Sequence, residues 1–430
     1  MRAILAGVAL ACGVAVAGPA VARCTGPTCN FDTLKPVFKR LAAARGGQGP
    51  GVHILQIGDS HTAGDVTPGA WRDLMQARFG IAGRGVLAPG RPYDGYLTHG
   101  VTATMAPGQW LIGATFGKNS AASRPLLGVS GFSLTATRAG ATMALSADSA
   151  AMAFDRFVLC AIGGPGAGGV TVRFDGGLPL HFDFTQAQVG PACQTLNEIA
   201  PRTRVEVTTD LAGLTLTSWA TFRDNVGGVA VSNVGVVGSQ LMHFARADDA
   251  VIAAELAAYR PDLIVLAFGT NEGFTPRFDP VAYEATVRAQ IARLRRLSGD
   301  VPILLLGAPD ALSRNAALRS NADGAPVECE SGLAAVVSSA TTVQPVPSGK
   351  PALFAPPALA EVRRIQRKVA GDLGVAFWDW QARMGGVCSA KGFVERADPL
   401  MRGDYVHFKS GGGRVIAQAL MDDLDAAGMK

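Results

Sequence analysis

Two textures alternate along this chain. In two separated regions, short runs of apolar and β-branched residues alternate with segments whose apolar positions recur at the 3.6-residue spacing of an amphipathic helix. The runs Val52–Ile57, Val229–Val236, Leu263–Phe268, Ile303–Leu306 and Val375–Trp378 are apolar at almost every position, which predicts strands buried on both faces. Between them the spacing predicts helices over Ala70–Phe79, Asp248–Tyr259, Val281–Leu297, Leu359–Leu373 and Arg414–Ala427, with another near Thr33–Ala44 ahead of the first strand. Strands that alternate with helices in this way form a parallel sheet covered on both sides.

Between roughly Thr98 and Arg223 the helical period disappears, and short alternating strands separated by Gly, Asp and Thr turns replace it. In Val170–Phe184, Val172 and Phe174, then Leu178, Leu180 and Phe182, alternate on either side of Asp175-Gly176-Gly177, which reads as a hairpin. The expected organisation is a leader over 1–22, an α/β domain in two parts over 23–97 and 224–430, and an inserted all-β domain over 98–223. Two roles stand open for the insert: a carbohydrate-binding or substrate-positioning sandwich, or an elaboration that shapes a cleft. A long Ser-, Ala-, Pro- and Asn-rich segment, Asp310–Pro356, reads either as a rim over the site or as a surface excursion.

Composition narrows the class. With 430 residues, 48% of them hydrophobic and 17% charged, the chain buries a full core. Met1–Ala22 opens with Arg2, continues through an Ala/Val/Leu/Gly stretch broken by Pro19 and reaches Ala20-Val21-Ala22, the small-residue pattern of a cleaved export signal. No other stretch approaches the roughly 20 apolar residues of a membrane helix, so a soluble, periplasmic mature protein is expected. Six cysteines remain beyond the leader, and an even set in an exported chain predicts disulfides. Proximity favours Cys24 with Cys29, Cys160 with Cys193 and Cys329 with Cys388. No CxxC or HxxxH spacing points to a metal site. The net charge of +5 lacks the clustered Lys and Arg of a nucleic-acid surface.

Candidate chemistry gathers where strands end. Ile54-Leu55-Gln56-Ile57-Gly58-Asp59-Ser60-His61-Thr62 delivers a serine to the C-terminal mouth of an apolar strand, where open α/β sheets bind ligands. A serine hydroxyl needs a base, and the base needs a carboxylate to fix its tautomer; Asp404-Tyr405-Val406-His407 supplies both. Two further turns, Asn233-Val234-Gly235-Val236-Val237-Gly238-Ser239 and Phe268-Gly269-Thr270-Asn271-Glu272, follow core strands at the same edge. The N–H groups of Ser60 and Gly238 and the amide of Asn271 are the candidate oxyanion donors, with Gly235 competing for the glycine position. Asp59, His61, Gly235 and Glu272 are candidates to line the pocket. His53, His99, His181 and His243 are expected to be structural or surface residues.

Gly58-Asp59-Ser60, Gly238, Gly269-Thr270-Asn271 and Asp404-x-x-His407 resemble, in order, the four blocks of the SGNH/GDSL-type hydrolases. The stretches Gly58–Asp65, Gly269–Glu272 and Trp378–Gly386 look most like the periplasmic peptidoglycan O-acetylesterases. The resemblance implies a flavodoxin-like three-layer α/β/α domain, a carbohydrate-binding-module-like insert, and a Ser60/His407/Asp404 esterase with no metal or organic cofactor. The implied substrate is O-acetylated peptidoglycan. The same triad also serves O-acetylesterases or O-acetyltransferases acting on another exported polysaccharide, and a non-catalytic glycan-binding protein is the alternative of another class. Oligomeric state is not readable from the chain.

Overall fold

The computed structural model describes residues 23–120, 126–320, 324–329 and 351–429; the expected leader, 1–22, lies outside the described residues. Five of the apolar runs form parallel strands: β1 (Val52–Gly58), β2 (Val229–Gly235), β3 (Leu263–Ala267), β4 (Ile303–Leu306) and β5 (Ala376–Trp378). Their order across the sheet is β2-β1-β3-β4-β5. Every residue of the five strands is buried, because successive side chains of each strand enter different cores. Leu55 and Ile57 of β1 join a cluster with Ile252, Val287 and Val362 from the helices Asp249–Tyr259, Pro280–Ser298 and Pro357–Leu373. Val52 and Ile54 point the other way, to Leu41, Met75 and Leu420 from the helices Lys35–Ala44, Thr67–Phe79 and Ser410–Ala426.

Local chemistry places the helix starts. The carboxylates of Asp248 and Asp279 each accept two N–H groups of the turn that follows, as N-caps do. Two helices begin earlier than their apolar spacing implies. Thr67–Phe79 gains a turn because Pro68 sits in its first turn, where a missing N–H costs nothing. Ser410–Ala426 includes Gly411-Gly412-Gly413, which pattern reading treats as loop; the helix passes so close to Val66 that a Cβ on Gly413 would lie 2.7 Å from that side chain.

At the outer edge of β5 the hairpin Cys24–Thr25/Thr28–Cys29 pairs antiparallel and is clipped by the Cys24–Cys29 disulfide. It covers a sheet edge that would otherwise offer unpaired backbone groups. The other two disulfides join Cys160 to Cys193 and Cys329 to Cys388, so all three expected pairings occur.

From Val101 to Phe222 the chain forms two antiparallel sheets. One contains Leu180–Asp183, Gly169–Phe174, Arg204–Thr209, Thr142–Ala147 and Val101–Met105, with the expected hairpin at its edge. The other contains Gly190–Arg202, Phe154–Gly163, Thr215–Phe222, Phe132–Ala136 and Trp110–Ala114. Val172 and Val207 of the first sheet share a buried cluster with Leu134, Leu159 and Trp219 of the second. A short strand upstream, Gly85–Leu87, also pairs with Thr215–Phe222.

In the described part of 310–356, Val327–Glu328 pairs with Phe354–Ala355 and Cys329 is tied to Cys388; residues 321–323 and 330–350 of that segment lie outside the described residues. No helix among the described residues is long and apolar enough to cross a membrane.

Candidate active site

The strand order sets β1 between β2 and β3, so the three turns that leave their C-terminal ends share one edge of the sheet, where such folds place ligands. At the end of β1 the carboxylate of Asp59 accepts the N–H of His61 at 2.9 Å and starts a short helical turn, Ser60–Ala63. Ser60 stands first in that turn. Its Oγ lies 2.9 Å from Nε2 of His407, whose Nδ1 lies 2.8 Å from Oδ2 of Asp404. Asp404 Oδ1 accepts the backbone N–H groups of Val406 at 2.9 Å and His407 at 3.0 Å. Partial burial would raise the Asp404 carboxyl, but the hydrogen bonds from His407 and Val406 outweigh it and hold the group below its ordinary value. An ionised Asp404 requires the proton on Nδ1 of His407, which leaves Nε2 free to accept the Ser60 proton.

The loop that carries Asp404 and His407 is closed by a bridge between Met401 and Phe408, and the Arg402 N–H donates to the His407 carbonyl at 2.7 Å. Tyr405, between the two functional residues, takes a left-handed φ of 60°. That conformation costs a non-glycine residue roughly 1–3 kcal/mol and persists where surrounding contacts impose it.

His61 links the two ends of the site. Its ring is buried, stacks on His407 at 5.4 Å and meets the edges of Trp380 and Phe408 at 5.7 and 5.9 Å. Nε2 donates to the carbonyl of Val406 at 3.0 Å, and Nδ1 stands 3.4 Å from Asp59 Oδ1 without a hydrogen bond. Burial opposes a charge here, yet Asp59, the Val406 carbonyl and Asp404 together raise the His61 pKa.

The oxyanion candidates occupy different settings. Gly235 is inside β2 under the nucleophile turn, where a Cβ would meet Ala63 N at 2.4 Å and Asp59 O at 2.6 Å. Gly238 lies past the strand end, half-buried, with φ 77° and the Phe116 ring beside it. Asn271 is in the turn after β3 and donates through Nδ2 to the Ser239 carbonyl at 2.9 Å, which ties the third turn to the second.

A cavity of about 250 Å³ opens beside Ser60, with His61, His407, Tyr93, Leu97 and Arg402 among its walls. His61 is among the residues lining this cavity, and Asp59, Gly235 and Glu272 are not. Asp59 turns its carboxylate back to cap the helical turn, Gly235 is covered by that turn, and Glu272 is buried with Oε1 accepting the Leu241 N–H at 2.8 Å. Burial pushes the Glu272 carboxyl up to about 7.

Pattern reading missed the support behind the nucleophile. Asp65, Arg72 and Arg84 are all at most 1% exposed. Arg72 grips both oxygens of Asp65, at 2.8 and 3.2 Å, and Arg84 reaches Oδ2 at 3.2 Å. Both guanidinium groups also donate to Asn233 Oδ1 on β2, at 2.6 and 2.8 Å, while Asn233 Nδ2 donates to the Thr62 carbonyl at 2.9 Å. This network holds the Ser60 turn against β2. Asp65, a polar residue closing the Gly58–Asp65 stretch, was the one available signal.

Trp378 and Trp380 are buried in the core and neither lines the cavity, and Trp378 Nε1 donates to Asp423 at 2.7 Å. Of the remaining histidines, His53 is buried, His243 contributes to a helix start, and His99 and His181 are largely exposed at their side chains. Among the described residues no group of three or more His, Cys, Asp or Glu is placed to hold a metal ion.

Residues 208–415 match the GDSL-like lipase/acylhydrolase family, a span that includes Asp404 and His407 and begins after Ser60. A solved structure of a peptidoglycan O-acetylesterase is similar over 91% of this chain and 95% of that one, at 25% identity and a TM-score of 0.69. An acetyl xylan esterase, 16% identical, covers 45% of this chain and 81% of its own with a TM-score of 0.29. A family two carbohydrate esterase from Cellvibrio japonicus, 17% identical, covers 49% and 79% with a TM-score of 0.19. No curated protein matches the chain.

Proposed function

We propose that this chain is a serine esterase of the SGNH/GDSL type that removes O-acetyl groups from peptidoglycan through an acyl-serine on Ser60. The observation that carries the chemistry is the continuous contact from Ser60 through His407 to Asp404. What supports the substrate is the likeness to a peptidoglycan O-acetylesterase across nearly the whole chain.

In the proposed cycle Ser60 Oγ attacks the acetyl carbonyl as His407 Nε2 takes its proton, and Asp404 stabilises the imidazolium. The tetrahedral oxyanion is met by the N–H groups of Ser60 and Gly238 and by the Asn271 amide, whose second N–H is not used by Ser239. Gly238 suits this role better than Gly235, which the strand and the Ser60 turn enclose. His407 returns the proton to the departing sugar oxygen, and water, activated by the same imidazole, then releases acetate and restores Ser60.

An acetyl group offers little to bind, so affinity comes from the glycan. We assign part of that task to residues 98–223 as an inserted, glycan-contacting domain. Phe116 and Phe132 from this segment pack with Tyr93 and Val236 beside the second turn, and Arg246 donates to the Thr115 carbonyl at 3.0 Å. Arg402 adds a cation to the pocket wall, which suits an anionic wall polymer. The paired cysteines are in keeping with export to the periplasm after removal of residues 1–22.

The test is acetate release from purified O-acetylated peptidoglycan, with Ser60→Ala and chemically de-acetylated polymer in parallel. Release that needs both Ser60 and the acetyl groups is expected. Turnover of a small acetyl ester without release from the polymer would remove the proposed substrate and leave the esterase.

A further inference from the structure

A second cleft opens at the opposite end of the sheet, beside the first residues of β1. At about 3.3 Å per residue, the length of that strand separates it from Ser60 by roughly 20 Å. The cleft encloses about 310 Å³, and its charged lining is Arg40, Arg156, Arg223 and Arg260 against the single carboxylate of Asp224. Both parts of the chain contribute: Arg156, Arg223 and Asp224 come from the β-rich segment and its exit, Arg40 from within the helix Lys35–Ala44 and Arg260 from the C-terminal end of the helix Asp249–Tyr259.

Two of the four guanidinium groups, those of Arg223 and Arg260, have no ion-pair partner among the described residues. Arg40 pairs with Asp262. Arg156 is 8% exposed, lies over the Phe222 ring at 4.2 Å and donates through Nε to Asp224 at 2.9 Å, but its Nη1 is buried without a partner. Nε of Arg223 is likewise buried and unpartnered. Among the described residues no hydrogen bond or ion pair engages the side chain of Arg223 or Arg260. His53 borders the same space and adds no charge: burial lowers its pKa to about 3, and its ring nitrogens are engaged by the Tyr259 carbonyl at 3.0 Å and Ser232 Oγ at 2.7 Å.

A guanidinium presents five donors in a fixed fork that matches two oxygens of a carboxylate or phosphate. Leaving such donors unpaired in a recess is costly, and a charged acceptor shared among them removes the cost. We propose that this cleft binds a phosphate or carboxylate oxyanion, held by Arg156, Arg223 and Arg260, at a site separate from the esterase centre. The oxyanion is either free in solution or borne on an envelope polymer; the recess and its donors are the same for both.

Calorimetric titration of the whole protein with inorganic phosphate, in low-salt chloride buffer, is the direct test. Saturable binding is expected, with a Kd at least tenfold weaker in Arg223→Ala/Arg260→Ala; Arg156 is left intact because it packs on Phe222. An unchanged thermal midpoint in chloride shows that the variant is folded, and the exposed Arg260→Ala alone serves if it is not. A second arm measures co-sedimentation with chemically de-acetylated peptidoglycan, which offers no acetyl ester to Ser60. Loss of that binding in the variant, with no response to phosphate, assigns the oxyanion to the polymer. Equal phosphate affinity in both proteins, or no phosphate binding together with unchanged sedimentation, overturns the proposal. None of these readings depends on what Ser60 hydrolyses.

Discussion

At Ser60 a hydroxyl meets an imidazole whose far nitrogen is held by a carboxylate, and two contacts of 2.9 and 2.8 Å make the proton path. Asp404→Asn preserves the shape of that path but favours the wrong tautomer, so turnover of a small acetyl ester is expected to fall by up to about 10⁴; near-normal turnover would remove Asp404 from the triad. His61 acts on the same path through position. His61→Phe keeps a ring against His407 and deletes the N–H that holds the Val406 carbonyl, so kcat should drop by about 10- to 10²-fold with little change in thermal midpoint. Glu272 is expected to show itself in stability rather than rate. Its folded pKa, about 7, is above the unfolded value, so the folded state holds the extra proton and stability declines as pH rises from about 4.5 to 7. Glu272→Gln should flatten that decline, which amounts to about 3 kcal/mol at full effect, in urea titrations at pH 5 and pH 8.

Elements hold these residues through contacts of unequal visibility. The five core strands were legible because a strand buried on both faces is apolar at nearly every position, as in Leu263–Ala267. The contact between Ser60, His407 and Asp404 was legible because Asp404 and His407 lie three residues apart and Ser60 comes two residues after a glycine that ends a strand. Asp65, Arg72, Arg84 and Asn233 were not, since buried polar groups that satisfy one another across separate elements leave no period in any of them. The same holds for the turn that hides Gly235 and for Glu272, whose partner is a backbone N–H on another segment. Breaking the Asp65 network should cost accordingly. Burial raises the Asp65 pKa, but Arg72 and Arg84 lower it further, so its stabilisation is present above about pH 4 and lost as pH falls through the folded value. Asp65→Asn leaves two buried guanidinium groups without their carboxylate and should destabilise by about 3–5 kcal/mol at pH 7, with the gap narrowing in acid; an equal gap at pH 3 and pH 7 would contradict the ion-pair account.

At the scale of the whole molecule, the three disulfides among the described residues close loops of different size. The Cys329–Cys388 bond spans 59 residues and Cys24–Cys29 spans 5. Loop-closure entropy gives about 4 kcal/mol for the larger and about 2 kcal/mol for the smaller, so Cys329→Ser/Cys388→Ser should lower the urea midpoint more than Cys24→Ser/Cys29→Ser. The reverse order would mean that the small hairpin matters through the sheet edge it covers. A span far longer than any of the disulfide loops is not covalent: Ser60 and His407 are 347 positions apart and meet within one hydrogen bond. Each hydrolytic event therefore certifies that two remote stretches of one polypeptide have docked to within a fraction of an ångström. Ester turnover is thus a gauge of correct assembly, sensitive to trapped or half-joined chains that circular dichroism would score as native.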